Sequence, residues 1–429
     1  MDASHTVSST DILICGAGPV GSAVALALHA QGRQVQIIDR AEASVSGDDR
    51  SLGLTTGTVR FLDALGVWSR VQGAEPIRSL HISERGRFGR ARVHARDHGL
   101  EHLGATVPAQ SLHDALEASL RDAGITVQRG TTLTRMDFDA PADAEPPPAD
   151  LASPVCYADN ANPGAPAMVP RSSSQRLCDL RRGAQAPVTV SARLVIGADG
   201  HQSQVRQLLG IPARTEDYGQ VALVSQLDTG RDVDGCAFER FDRAGPIALM
   251  PRGRRRVGVI WMRPVAEAER LMRLSAEAFA AEIQQAFGWR LGRLRSAAPI
   301  LRWPLQRVRA QQLVGPRALL IGNAAASFHP VAAQGFNLAM RDAQQLAEML
   351  SRTSDPGAVA LLARFAADRQ ADHQAVERMT DGLVKMFGPA LPGLAQLRSL
   401  GLLGLDVLPP LQRGLVTHSA GARPLAGVN

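Results

Sequence analysis

The chain has 429 residues, 45% of them hydrophobic, which is enough material for two or three domains with sizeable cores. Its net charge of +6 comes from scattered arginines, with Lys385 the single lysine, and only 4% of residues are aromatic, a pattern that does not predict a nucleic-acid surface. Four scattered cysteines without CxxC spacing predict neither a metal centre nor a disulfide framework, and no apolar run reaches roughly 18 residues, so we expect a cytoplasmic protein without a membrane span.

A βαβ unit is predicted at the start of the chain. Asp11–Cys15 is a short apolar run, Pro19–Ala30 has helical spacing, and Gln34–Ile38 returns to a strand pattern. The turn after the first strand reads GAGPVG, a match to GxGxxG, whose glycines permit a tight turn and close approach to a pyrophosphate. Asp39 ends the second strand about 20 positions after Gly16, where a carboxylate is expected to bind a ribose hydroxyl. The predicted dinucleotide site consists of Gly16, Gly18, Pro19, Val20, Gly21, Asp39 and Arg40. This pattern alone does not separate NAD from FAD, and an ordinary βα turn is the alternative.

Two later strands also end at a glycine and lead into a helix. Leu194–Gly197 is followed by Ala-Asp-Gly, which contains Asp199 and which by itself is most often a simple turn. Ala318–Ile321 is followed by Gly322, a run of small residues and a helix predicted from about Phe336. Small residues at such turns allow backbone to approach a ligand closely.

Three other stretches have distinct compositions. Pro141–Pro187 is rich in Pro, Ala and Ser and predicts a flexible surface insertion. Residues 213–305 contain alternating stretches such as VALVSQLD and PIALMP, which predict a separate antiparallel sheet. From Gly382 onward the chain is apolar but interrupted by Gly and Pro. That region is predicted to meet a membrane surface or partner subunits or, equally well, to complete the core or a dimer interface.

The three glycine motifs, in this order, resemble those of the class A flavoprotein monooxygenases. Four further stretches are similar to the ubiquinone-biosynthesis hydroxylases, and most of all to the 2-polyprenyl-6-methoxyphenol hydroxylase branch. They are HISERGRFG (81–89), FERFDRAGPIALMP (238–251), GNAA…HPVAAQGFNLAMRDA (322–343) and DRQADHQAVERMTDGLVKMF (368–387). The resemblance covers essentially the whole chain except the predicted insertion.

This resemblance implies an α/β fold with a doubly wound, Rossmann-like FAD-binding domain of the glutathione-reductase type. A second β-sheet substrate domain and a helical C-terminal region complete it. The predicted FAD-binding segments are 1–80, 106–212 with the insertion 141–187, and 306–381. The predicted substrate-domain segments are 81–105 and 213–305, and the C-terminal region is 382–429.

The resemblance also implies roles for individual residues. Arg50 and Gln110 match flavin-contacting positions, and Asp199 matches the aspartate that serves FAD and the passing NAD(P)H. Asn323 stands where the family usually has an aspartate that bonds ribitol, and Ala333 stands where it often has glycine. The flavin loop and the following helix are expected to contribute Gly322, Asn323, Pro330, Gln334, Gly335, Phe336 and Asn337. His329 could act as a general base, but we favour a role in shaping the flavin loop; no catalytic residue is assigned.

The function implied is an FAD-dependent aromatic hydroxylase that uses NAD(P)H and O2 and acts through a flavin hydroperoxide. Its expected substrate is a polyprenylated phenol in ubiquinone biosynthesis, with the Gly245–Pro251 strand as one wall of the ring pocket. Other proteins of that pathway, the inner face of a membrane and a second copy of the chain are candidate partners. Hydroxylation of another aromatic or polyketide substrate is one alternative, and a non-catalytic FAD-binding subunit is another. Arg252–Arg256 either docks a pyridine nucleotide phosphate or forms a solvated turn.

Overall fold

A computed structural model describes residues 7–44, 46–138, 174–328, 334–387, 394–408, 410, 412–414 and 416. Its strands, in chain order, are β1 (Ser8–Cys15), β2 (Val35–Asp39), β3 (Ser51–Thr55), β4 (Glu75–Ile77), β5 (Ser79–Glu84), β6 (Arg90–His94), β7 (Gly104–Pro108), β8 (Val127–Arg129), β9 (Thr131–Phe138), β10 (Arg176–Arg182), β11 (Val188–Gly197), β12 (Ala213–Thr229), β13 (Cys236–Phe241), β14 (Ile247–Pro251), β15 (Arg256–Pro264), β16 (Leu294–Ser296), β17 (Leu301–Ala310), β18 (Val314–Gly315), β19 (Ala318–Leu320) and β20 (Ala326–Ser327). Its α-helices are α1 (Pro19–His29), α2 (Thr56–Ala64), α3 (Ala109–Asp122), α4 (Gln204–Leu208), α5 (Val265–Met272), α6 (Ala276–Phe287), α7 (Gln334–Leu350), α8 (Val359–Phe387) and α9 (Leu394–Val407).

The first sheet has the order β18-β19-β11-β1-β2-β8, and β19, β11, β1, β2 and β8 run parallel. Successive residues of β1 enter different hydrophobic clusters: Ile12 and Ile14 pack with α1, α3 and α7, while Leu13 packs toward β9 and β10. Burial on both faces explains why the strand reads as a continuous apolar run rather than an alternating one. The predicted doubly wound α/β fold is confirmed.

The second sheet has the order β20-β17-β12-β15-β14-β13-β5-β6, with β16 beside β12. The strands β12 to β17 pair with one another only in antiparallel fashion, and the one parallel pair, β13 with β5, adds a strand from outside the predicted range 213–305. One of its faces packs on α5 and α6 through Trp261, Phe279 and Ile283. A small third sheet, β3-β7-β4, belongs to the segment between β2 and α3.

The predicted flexible insertion Pro141–Pro187 is wrong in its C-terminal part. Residues 176–182 form β10, which pairs with both β9 and β11. Cys178 and Leu180 are buried there, and the guanidinium of Arg176 donates hydrogen bonds to the carbonyl oxygen of Pro316. The composition of the wide window concealed a short alternating strand at its end. Residues 139–173 lie outside the described residues.

Four predicted segment boundaries fall inside single elements. The boundaries after residues 80 and 105 divide β5 and β7. The boundary after residue 305 divides β17, and the boundary after residue 381 divides α8, which continues through Gly382. α9 then packs across β5 and β6, where a Cβ at Gly89 would lie 2.5 Å from the Cα of Ser399. Arg92 of β6 forms an ion pair with Asp406 of α9. This part of the C-terminal region therefore completes the second domain.

Candidate active site

The turn between β1 and α1 contains three glycines with different surroundings. Gly16 has a φ of 106°, and a Cβ there would overlap the backbone of Ala198. A Cβ at Gly21 would overlap the carbonyl oxygen of Gly16. Gly18 is different, because it has φ −66° and ψ 175° and an added Cβ would meet no described atom within 4 Å. The turn itself requires Gly16 and Gly21, whereas Gly18 preserves open space at the N-terminus of α1.

Asp39, at the end of β2, lies beside this turn. Its Oδ2 accepts a hydrogen bond from the backbone nitrogen of Ala17 at 2.6 Å, and its Oδ1 accepts one from Ala41 at 2.8 Å. The neighbouring Arg40 is exposed. Since each carboxylate oxygen can accept more than one hydrogen bond, Asp39 can order the turn and still accept from a ligand hydroxyl.

Asp199, in the middle motif, has one carboxyl oxygen that is satisfied and one that is not. Its Oδ2 accepts hydrogen bonds from the backbone nitrogens of Gln204 at 2.7 Å and Val205 at 3.3 Å. Its Oδ1 is buried and has no partner among the described residues. The backbone nitrogen of Asp199 would lie 2.8 Å from a Cβ at Gly16, so the first two motifs are in direct contact. A buried acceptor without a donor at this position suits a ligand that donates a hydrogen bond.

Arg50 and Gln110, which the sequence analysis treats separately, are joined by Asp48. The Nε of Arg50 donates to Asp48 at 2.8 Å, and the Oε1 of Gln110 accepts from the backbone nitrogen of Asp48 at 3.3 Å. The guanidinium of Arg50 also lies 4.2 Å from the ring centroid of Trp303. Burial acts to raise the pKa of Asp48, but the hydrogen bonds and charge of Arg50 outweigh it and leave that pKa below its ordinary value.

Sequence reasoning did not assign Asp48 or Trp303 to the site. Asp48 lies two residues before Arg50 in the stretch DDRS (48–51), and this closeness was a usable signal. Trp303 lies on β17 of the other sheet, and no sequence pattern connects it to Arg50.

The third motif brings the end of β19 against α1. Gly322 has a φ of 60°, and a Cβ there would lie 3.4 Å from Val20, next to Pro19 at the start of α1. Asn323 is exposed, so its amide is accessible on this side. At the start of α7, Gln334 is buried, and a Cβ at Gly335 would meet no described atom within 4 Å.

The first turn of α7 is held in place by Asn337, whose side chain is buried. Its Oδ1 accepts hydrogen bonds from Thr55 nitrogen at 2.9 Å and from the Thr58 hydroxyl at 2.8 Å, and its Nδ2 donates to Gly53 oxygen at 2.8 Å. The amide therefore ties α7 to β3 and α2. Phe336 is half-buried. His329, Pro330 and Ala333 lie outside the described residues.

A buried ion cluster connects α7 to α8. Asp342 accepts a hydrogen bond from Arg369 at 2.5 Å and lies 2.9 Å from the Nε2 of His373. Burial acts to raise the pKa of Asp342, but His373 and Arg369 outweigh it and lower that pKa. The His373 ring also contacts Phe328, with centroids 6.0 Å apart, immediately before residues 329–333. This cluster fixes the helix that follows the predicted flavin loop.

The arginine-rich turn between β14 and β15 is paired with acidic side chains. Arg254 and Arg255 both contact Asp232, and Arg256 contacts Asp228. These arginines are exposed, so the geometry favours a solvated turn over a dedicated site for a nucleotide phosphate.

The FAD-type motifs meet the second sheet directly. A Cβ at Gly258 on β15 would overlap the hydroxyl of Ser51, and Trp303 stacks on Arg50. The Gly258 side of that sheet therefore faces the segment that contains Asp48, Arg50 and Gln110. This contact creates a shared wall between the two domains.

Comparison with known proteins decides which family uses this arrangement. A family profile described as "FAD binding domain" matches residues 9–144 and 172–380, most of the chain. The chain belongs to this FAD-binding family. Ubiquinone hydroxylase UbiL of Rhodospirillum rubrum is 33% identical over 435 residues, covering 97% of this chain and 90% of that protein. The 3-demethoxyubiquinol 3-hydroxylase of Escherichia coli is 29% identical, covering 97% of this chain and 100% of that protein.

Solved structures agree on the fold. The p-nitrophenol 4-monooxygenase PnpA of Pseudomonas putida has a TM-score of 0.74 at 15% identity, covering 97% of this chain and 100% of that one. The predicted family, class A FAD-dependent monooxygenases of the ubiquinone-hydroxylase type, is confirmed. The chain is an FAD-dependent monooxygenase, and the alternative of a non-catalytic FAD-binding subunit is set aside.

The residues present fit FAD. The open space at Gly18 and the N-terminus of α1 suits a diphosphate, which backbone N–H groups and the helix dipole stabilise. The unpartnered Oδ1 of Asp199 offers an acceptor at the same edge. Bound FAD, with NAD(P)H and O2 as the co-substrates typical of this family, supplies the redox and oxygen chemistry.

Proposed function

We propose that this FAD-dependent monooxygenase hydroxylates a polyprenylated phenol in ubiquinone biosynthesis, with NAD(P)H as reductant and O2 as oxygen donor. The likeness to ubiquinone hydroxylase UbiL over nearly the whole of both chains supports the pathway. The observation that carries the substrate class is an apolar sheet face. Ala222, Phe241, Met262 and Leu305 of the second sheet cluster there with Leu402 of α9.

In this proposal the protein's own groups hold the cofactor from three sides. Gly16 to Gly21 and Asp39 bind the adenosine diphosphate half of FAD. Asp199 accepts a hydrogen bond from the cofactor, near the junction of its adenosine and flavin halves. Asn323 bonds ribitol, and the N–H groups of Gly335, Phe336 and Asn337 stabilise negative charge on the reduced flavin. Arg50 and Gln110, positioned through Asp48, lie beside the flavin, and Gln334 and Pro330 complete the loop. His329 shapes that loop rather than taking part as a base.

The same apolar face explains how a long isoprenoid tail would contribute to binding. A phenol ring placed between the FAD-binding segment and the second sheet would have its tail directed along α9. Each buried methylene contributes roughly 0.8 kcal/mol, so affinity is expected to rise steeply with prenyl length until the face is filled. A tail-less phenol with an identical ring should bind much more weakly.

The test measures NAD(P)H oxidation, O2 consumption and product for methoxyphenols that differ only in prenyl length. We expect the coupling of NAD(P)H oxidation to hydroxylation, and the affinity, to increase from the tail-less compound to the longer ones. Peroxide is measured in parallel, because uncoupled oxidation would otherwise pass for hydroxylation. Equal affinity and coupling for tail-less phenols would favour another aromatic or polyketide substrate.

We also propose that α9 brings the enzyme to a membrane surface. None of the helices in the described part of the chain combines the length and apolar character needed to cross a bilayer. However, α9 and the residue after it expose Leu400, Leu403, Val407 and Leu408, while Leu402 packs inward. Exposed apolar side chains on one helix suit an interfacial contact.

Flotation with anionic liposomes should fall when Leu400 and Leu403 are both replaced by Ser. Unchanged flotation would favour a dimer or partner contact, which gel filtration and crosslinking would then test.

A further inference from the structure

One row of residues crosses the apolar face of the second sheet and contains a single acidic side chain. Strand pairing aligns Glu239 of β13 with Ile82 of β5 on one side and Ala248 of β14 on the other. Beyond Ala248 the row continues with Ile260, then Val224 and Leu301. A carboxyl group in the centre of an otherwise apolar row does not stabilise a core, so it requires another explanation.

Glu239 lies at the border between a packed apolar face and open space. Its Oε1 is buried and has no hydrogen-bond partner among the described residues. The residue as a whole is nevertheless only partly buried, so some of its side chain borders open space. Burial raises the pKa of Glu239 to about 7, and no neighbouring charge contributes to that change. Other charged groups border this face. Glu84 of β5 is aligned with Phe241, Arg252 lies 3.5 Å from a Cβ at Gly258, and Asp406 of the covering helix α9 is paired with Arg92.

The row lies between the C-terminal helix and the FAD-binding segment. Ile82 and Ile260, on either side of Glu239, pack in one cluster with Leu402 and Leu405 of α9. Gly258, which contacts Ser51, lies two strands and one row away from Glu239. With strands about 4.8 Å apart and about 7 Å between same-face residues, that separation is about 12 Å. This distance accommodates an aromatic ring between Glu239 and the FAD-binding segment.

We propose that Glu239 is a catalytic residue that accepts the hydrogen bond, and then the proton, of the substrate's phenol hydroxyl. The role of Glu239 rests on the proposed function, because it requires a phenol in the open space beside this side chain. In the step, the phenol O–H bond breaks, the proton bonds to a carboxylate oxygen of Glu239, and the electron pair stays on the phenol oxygen. Delocalisation of that pair makes the ring carbons ortho and para to the oxygen more nucleophilic toward the incoming oxygen atom. The apolar surroundings suit a base whose pKa lies near the working pH.

The test compares Glu239→Gln with the wild type, and uses Glu277→Gln as the matched control. Glu277 lies on α6 of the same domain and is exposed. A prenylated methoxyphenol is the substrate, and its O-methyl ether is the probe that cannot donate a proton. We expect Glu239→Gln to retain FAD but to lose about 10²–10⁴-fold in kcat/KM for hydroxylation. The wild type should show a limb in kcat/KM that rises with pH near 7, and the Gln variant should lack it. Wild type should also bind the phenol more tightly than the ether, and the variant, whose amide oxygen can accept a hydrogen bond but takes up no proton, should show a smaller preference that does not change with pH near 7.

Separate outcomes distinguish this inference from the proposed function. If the wild type hydroxylates no prenylated phenol, the proposed function fails. If the wild type does so and Glu239→Gln keeps its rate, its pH limb and its preference for the phenol, only the role of Glu239 is overturned. Glu239→Asp keeps a carboxylate and should retain the pH limb at a reduced rate, and the contrast with the loss of that limb in Glu239→Gln is what a merely structural role would not produce. Should Glu239→Gln fail to fold, the midpoint of the pH limb in Glu239→Asp decides the matter: a shift from the wild-type midpoint supports the role of Glu239, and an unchanged midpoint overturns it.

Discussion

Replacing Glu239 by Gln should stabilise the folded protein at alkaline pH, even though it impairs the proposed reaction. The ordinary pKa of a glutamate is 4.5, and burial raises that of Glu239 to about 7. A carboxyl group whose pKa is higher in the folded state favours folding below the unfolded pKa, and that contribution is lost as pH rises through the folded pKa. The interval from 4.5 to about 7 corresponds to about 3 kcal/mol, fully lost by pH 8. The neutral amide of Gln carries no such dependence.

Equilibrium urea unfolding at pH 5 and pH 8, followed by tryptophan fluorescence, measures this effect. The quantity compared is the free energy of unfolding of Glu239→Gln minus that of the wild type at each pH. Because any packing change is common to both conditions, it cancels, and the difference should be about 2–3 kcal/mol larger at pH 8. Glu277→Gln, with an exposed carboxylate, should show a difference near zero. Equal values for Glu239→Gln at the two pH values would refute the argument that this carboxyl group is buried without a partner.

Three further predictions concern the cofactor site and the scaffold. Gly18→Val should deplete FAD, because the valine side chain enters the open space that the diphosphate would occupy. Flavin absorbance per chain should fall while the circular dichroism spectrum stays native. Gly21→Val should instead disrupt folding. Deleting residues 141–172 should leave a soluble flavoprotein. Deleting residues 141–187 also removes β10 and should give insoluble protein. Equal solubility of the two deletion variants would contradict the importance of β10. Asp342→Asn should lower the free energy of unfolding by about 1–3 kcal/mol, since it removes one of the two carboxylates that pair with the buried Arg369 and leaves only Asp372. An unchanged denaturation midpoint would show that the Asp342–Arg369 pair is dispensable.

The local elements of the FAD-binding domain could be predicted from sequence because their causes lie close together in the chain. The apolar run of β1, the glycines of the following turn and the helical spacing of α1 all occur within residues 8–29. The requirement for glycine at Gly16 and Gly21 arises from contacts within the turn and with Ala198. The family resemblance extended the prediction to Arg50, Gln110 and Asp199, for which local pattern alone provides no role.

Other features depend on register and on contacts between distant segments. β10 was missed because a short alternating strand was averaged with a Pro-, Ala- and Ser-rich neighbour. Asn337 was expected near the flavin, but only the packing of α7 on β3 and α2 shows that its side chain is occupied by Thr55, Thr58 and Gly53. The Asp342–Arg369 pair joins α7 to α8 through residues 27 positions apart, which no local pattern connects.

Glu239 illustrates the same division. In the sequence it is one of two adjacent charged residues in the strand CAFERF, and alternation groups it with Ala237 and Phe241 without showing what that face contacts. Strand order places Ile82 and Ala248 beside it, and α9, more than 150 residues later, covers that face. A sequence specifies which side chains alternate along a strand, since that follows from local backbone geometry. Whether such a side chain contacts water or other side chains depends on which distant segments pack against that face of the sheet. Those contacts are decided only in the tertiary structure.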